Sequence, residues 1–176
     1  MDIKFDLVKK LTKPLPKAKG ITLRSLRSSE DGKSASAILM AGGYQQIRED
    51  VENYRMLTGL PLTARAKGRS LELTSECGED SALVLADFLK GISFNSEDVM
   101  ETLEFFERYL GRDAKSGIRL LSMDMSAEDL RISCCAKAME GETAESVYSY
   151  VSSLLDRYDM GIIKEDAQAE EAPKSE

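Results

Sequence analysis

The chain has 176 residues, 42% hydrophobic and 31% charged, with a formal net charge of −7, three cysteines and no histidine. Such a composition excludes collagenous, low-complexity and wholly disordered classes, and the length allows one compact domain with a substantial core. No apolar run approaches the roughly 20 residues a membrane-spanning helix needs, and MDIKFDLVKKLTK lacks the apolar centre of a signal peptide, so a cytoplasmic protein without a membrane span is expected.

Residues 1–19 are basic, and their pattern is ambiguous. Ile3, Leu7, Val8 and Leu11 would share one side of a short helix, whereas Ile3, Phe5 and Leu7 alternate as in a strand. Pro14 and Pro16 end any helix. From Gly20 the chain reads as a β-hairpin: ITLRSLRS, a turn at Asp31-Gly32, then SASAILMA. Asp-Gly supplies residues that tolerate positive φ in a tight turn. Ile21 and Leu23 fall on one face, and Leu26 marks a change of register or a bulge. After Gly42-Gly43, the residues Tyr44, Ile47, Val51 and Tyr54 recur at three- and four-residue steps, which predicts an amphipathic helix ended by Gly59 and Pro61.

LTARAKGRSLELTSE predicts a second hairpin turning near Lys67-Gly68, with Leu71 and Leu73 alternating with polar residues. SALVLADFLKGI is apolar nearly all round, the mark of a helix buried between other elements. Asn95 or Ser96 then caps a helix over EDVMETLEFFERYL, with Glu97 and Asp98 in the first turn, where the dipole favours acids. Its stripe is Val99, Leu103, Phe106 and Leu110, widened by Met100, Phe105 and Tyr109. GIRLLSMDMSAEDLRISCCAKA restores the hairpin pattern with a turn near Glu128-Asp129. After Gly141, Thr143 caps a last helix built on Val147, Val151, Leu154 and Tyr158.

Laid without gaps over the first hairpin, the last one is identical at Gly20/Gly117, Ile21/Ile118, Leu23/Leu120, Ser25/Ser122, Ser29/Ser126, Ser36/Ser133 and Ala41/Ala138. The expected fold is α+β, with antiparallel hairpins packed against amphipathic helices. Residues 1–19 form a basic N-terminal segment and 20–162 a single α+β domain. Within that domain, hairpin–helix units at 20–58 and 117–160 frame a central hairpin and two helices at 62–110. Residues 163–176 form a disordered acidic tail.

The absence of histidine removes the usual neutral-pH base and the commonest zinc ligand. Cys134 and Cys135 are adjacent and cannot form an unstrained disulfide; as strand neighbours they divide between two faces. Cys77, in SECGED, would be activated by a helix N-terminus, but Glu76 and Asp80 oppose that, and a small buried or half-buried cysteine is the simpler reading. Gly42-Gly43 sits where phosphate loops occur, yet neither a GxGxxG nor a GK[ST] pattern is present, so it reads as a strand-to-helix turn. Glu76, Glu79 and Asp80, like Asp124, Glu128 and Asp129, read as solvated acids. No catalytic residue, metal or cofactor is therefore expected.

One basic feature stands out. ARAKGRS places Arg65, Lys67 and Arg69 around Gly68, a hairpin tip able to touch phosphates, though no aromatic residue is interleaved to stack on bases. Residues 1–33 hold nine Lys/Arg against four Asp/Glu, so the remainder is more acidic than the whole chain, which disfavours general polyanion binding. In bulk properties and element order the chain resembles acidic, dimeric chaperone-like α+β proteins such as the type III secretion chaperones. No shared motif carries that resemblance, and it brings no site residues with it. Missing catalytic machinery, helix faces more apolar than one small sheet easily covers, and hairpin edges open to strand pairing lead to the expectation of an oligomeric, non-enzymatic protein-binding, adaptor or assembly/chaperone-like factor. The alternatives are a nucleic-acid-associated factor using the basic segment and the Arg65–Arg69 tip, and an enzyme or enzyme subunit built on Cys77 or carboxylates.

Overall fold

In the computed structural model, which describes residues 4–10, 20–92, 94, 97–110, 118–126, 131–138, 143–158 and 160–163, these patterns resolve into strands and helices. The chain runs β1 (Lys4–Lys10), β2 (Thr22–Ser28), β3 (Ala35–Met40), α1 (Gln45–Thr58), β4 (Thr63–Lys67) and β5 (Ser70–Ser75). A 3-10 turn, Gly78–Asp80, leads into α2 (Ser81–Leu89), and α3 (Glu97–Phe105) continues as a π-helical turn over Phe106–Leu110. Then come β6 (Ile118–Ser126), β7 (Arg131–Ala138), α4 (Ala144–Leu155) with its 3-10 end Asp156–Tyr158, and β8 (Met160–Ile163).

The strands form one antiparallel sheet of order β4-β5-β3-β2-β6-β7-β1-β8, so the chain is α+β with antiparallel hairpins. Paired residues share a face, and one row crosses the whole sheet: Ala64, Leu73, Ala37, Leu26, Met125, Ile132, Lys9 and Met160. This row is buried or half-buried beneath the helices. The neighbouring row, Thr63, Thr74, Ser36, Arg27, Asp124, Ser133, Val8 and Gly161, is half-buried or exposed throughout. The helices thus lie on one side, and no described helix covers the other.

Local signals explain most elements. Asp31-Gly32 makes the β2–β3 turn, with Gly32 at φ +72° and Asp31 Oδ1 accepting from the Lys33 N–H (3.0 Å) and the Ser29 hydroxyl (2.7 Å). Those bonds hold the Asp31 carboxyl below its ordinary value of 3.8. α2 is buried all round, as its composition requires. Thr143 Oγ1 accepts from the Ser146 N–H at 3.1 Å and caps α4. Asn95, Ser96 and the Glu128-Asp129 turn lie outside the described residues.

Three features depart from the sequence pattern. The bulge falls at Arg24, which is skipped between the pairs Leu23–Leu39 and Ser25–Ile38, rather than at Leu26. The extra residue lets Leu23 and Leu26, three apart, both face the helices. Ile163, grouped with the acidic tail, is the last residue of β8; residues 164–176 lie outside the described part. Within the basic N-terminal segment, Lys4–Lys10 is a strand between β7 and β8, the second of its two expected conformations.

The two long hairpins share a register. The shift that carries Leu23 to Leu120 also carries Leu39 to Ala136, Ser25 to Ser122 and Ile38 to Cys135, and each hairpin has one bulged residue between these pairs, Arg24 or Leu121. The same shift carries Arg27 to Asp124, which face each other where β2 and β6 pair. Beyond the hairpins the chain differs: beside β3 lies β5, while the corresponding place beside β7 is taken by β1, from the other end of the chain.

Lys9 is 1% exposed in the helix-facing row. Its Nζ donates to the Tyr158 carbonyl at 2.8 Å and to Glu101 Oε1 at 3.3 Å, with Asp98 Oδ1 at 3.7 Å, so β1 is tied to α3 and to the end of α4. Lys9→Ala leaves Asp98 and Glu101 without that cation, and should lower stability by about 3 kcal/mol in urea unfolding. A loss below about 0.5 kcal/mol would show that the ion pair is not structural.

Candidate functional site

The face of the sheet that no described helix covers carries exposed charged side chains. Arg24, Arg27, Arg65 and Lys67 are exposed on β2 and β4, whereas Glu97, Glu101, Glu104 and Glu107 are exposed along α3 and its π-helical turn. At the centre of the face Arg27 pairs with Asp124 across β2 and β6; burial raises the Asp124 carboxyl while Arg27 pulls it down.

The Arg65–Lys67–Arg69 group sits at one side of this face. Arg65 and Lys67 belong to β4, the edge strand, and Arg69 closes the turn at Gly68, whose φ is +62°. All three side chains are exposed. The Tyr44 hydroxyl donates to the Arg69 carbonyl and holds the tip against the start of α1. Arg65 is not wholly available: its Nη2 donates to Glu72 Oε1, 3.2 Å away on β5. Between them opens a shallow cleft of about 220 Å³, lined by Pro61, Leu62, Thr63, Arg65, Glu72, Thr74 and Glu76. Two acids in its wall make it a poor phosphate cradle, and it contains no aromatic side chain.

The remaining candidates are dispersed. Cys77 is half-buried ahead of the 3-10 turn, where its N–H donates to Ser81 Oγ at 2.8 Å. Asp80 is ion-paired to Arg119 instead of facing Cys77 as a base. Cys134 is buried on the helix side of β7, which pushes its thiol pKa up, while Cys135 points to the uncovered face. Among the described residues no group of three His, Cys, Asp or Glu side chains is placed to hold a metal ion, and no helix is long and apolar enough to cross a membrane.

Met56 and Leu57, 81% and 85% exposed in the last turn of α1, escaped the sequence pattern. The signal was present: both lie off the stripe of Ile47, Val51 and Tyr54 that packs α1 onto the core. They precede β4 by one loop, so two exposed apolar side chains and an exposed basic strand are neighbours in the chain. No protein-family model matches the chain, and no curated protein matches it.

Two outcomes check this placement. Arg65→Ala should change stability by less than about 0.5 kcal/mol, because an exposed ion pair contributes little. With a thiol reagent under native conditions, Cys77 and Cys135 should react and Cys134 only on unfolding; equal rates for all three would contradict the burial of Cys134.

Proposed function

We propose that the protein is a non-enzymatic protein-binding factor, of the adaptor or assembly type, that engages partners on the β4 side of its sheet. The supporting observation is that β4 pairs with β5 alone among the described strands, with Met56 and Leu57 exposed just before it. A free strand edge offers backbone hydrogen bonds to a partner, and exposed apolar side chains beside it add burial. The chain at full length, used as bait in its own cells, should retain a protein in stoichiometric yield. Met56→Ser/Leu57→Ser should lose that partner without a change in melting temperature, since neither side chain is packed. Absence of any stoichiometric partner would end this reading.

The three cations at the β4–β5 tip favour nucleic-acid association as a second reading. A labelled single-stranded oligonucleotide should then bind at about 50 mM salt and weaken steeply as salt rises; no binding at low salt removes it.

On the same proposal, the units at 20–58 and 117–160 are copies of one hairpin–helix unit, a reading supported by their common register and bulge. If β8 and β1 serve the second unit as β4 and β5 serve the first, their ends can be joined. A circular permutant linking residue 163 to residue 4 by about four residues, and opened between α2 and α3, should unfold cooperatively with the parent's far-ultraviolet spectrum. A permutant that stays unfolded would count against the shared plan.

A further inference from the structure

We propose that β4 is the docking strand for an extended polypeptide in which acidic residues alternate with apolar ones, added to the sheet as a ninth strand. This rests on the protein-binding reading and specifies the partner's chemistry. Side chains alternate along β4: Thr63 and Arg65 pair with Thr74 and Glu72 on the uncovered face, as Lys67 does with Ser70, while Ala64 and Ala66 pair with Leu73 and Leu71 on the helix side. An added strand would continue both rows. Its residues facing Arg65 and Lys67 meet two exposed cations. Those facing Ala64 and Ala66 meet only methyl groups, which leave room for larger apolar side chains beside α1, the helix that packs against β4.

The same cations disfavour the obvious competitor, a second copy of this edge paired antiparallel. Antiparallel self-pairing along most of β4 sets Arg65 against Arg65, or Arg65 against Lys67, and like charges directly opposite are destabilising. Basic residues on an edge strand block neutral strands and copies alike. They do not block an acidic strand. Glu72 already binds one side of the Arg65 guanidinium and, with Glu76, disfavours an acid reaching into the cleft. Lys67, with no ion pair among the described residues, is therefore the main contact for the incoming carboxylates.

The test uses the intact protein and three labelled twelve-residue peptides: alternating Glu and Val, alternating Lys and Val, and the Glu-Val peptide with central prolines. Fluorescence anisotropy should show binding of the first alone, and hydrogen exchange should slow at Ala64–Lys67 on binding. Lys67→Glu, and separately Arg65→Glu/Lys67→Glu, should weaken the Glu-Val peptide by about tenfold or more and gain affinity for the Lys-Val peptide. Equal affinity in wild type and charge-reversed protein, tight binding of the proline-interrupted peptide, or protection elsewhere would overturn the proposal. Failure of the Glu-Val peptide while the cellular partner is still retained would overturn the acidic-strand assignment and leave the protein-binding reading standing; loss of both would remove both.

Discussion

The fold depends on β1 lying between β7 and β8 with Lys9 turned inward. An ammonium group in a helix-facing row is costly unless it is paired and hydrogen-bonded, and here the Tyr158 carbonyl, Glu101 and Asp98 supply its partners. A slip of β1 by one residue would turn Lys9 to the uncovered face, bring Val8 and Lys10 inward, and break every one of these contacts. The register of the strand that joins the two ends of the chain is thus set by a polar interaction, while Leu7 beside it, fully buried, contributes the apolar area. Tyr158 serves both sides: its carbonyl accepts from Lys9 and its ring packs edge-on against Phe105, with centroids 5.1 Å apart.

Having every described helix on one side of the eight-stranded sheet has a chemical consequence. Exposed acids line α3 and its π-helical turn while Arg27, Arg65 and Lys67 stand exposed on the strands, so a chain of net charge −7 still presents cations on its open face, beside Asp124. On the proposed reading, a partner chosen by that surface would bring acidic groups and meet the repulsion of the whole chain at long range, which short-range pairing at one edge offsets better than diffuse attraction. β4, which pairs with β5 alone among the described strands, carries such cations, and two exposed apolar side chains precede it in the chain.

Much of the local structure was legible in the residues. Asp31-Gly32 and Lys67-Gly68 marked their turns, Thr143 its cap, and the uniformly apolar SALVLADFLKGI its burial, because each depends on neighbours in sequence. The bulge was displaced from Leu26 to Arg24, since alternation shows that a register changes but not which residue is set aside. β8 was missed because four residues carry too little pattern to announce a strand. Of the candidate site, Arg65, Lys67 and Arg69 were visible as a basic cluster; that Arg65 shares itself with Glu72, and that Met56 and Leu57 stand exposed nearby, depended on packing.

By itself the sequence determined the class of fold, the four helices, the hairpins and the absence of histidine, since periodicity, turn residues and composition act locally. Tertiary structure decided the order of strands, the joining of the two chain ends through β1 and β8, and the side of the sheet left open. Those outcomes follow from which strands find partners across long separations and from where Lys9 meets its carboxylates, and neither is written in any single stretch of residues.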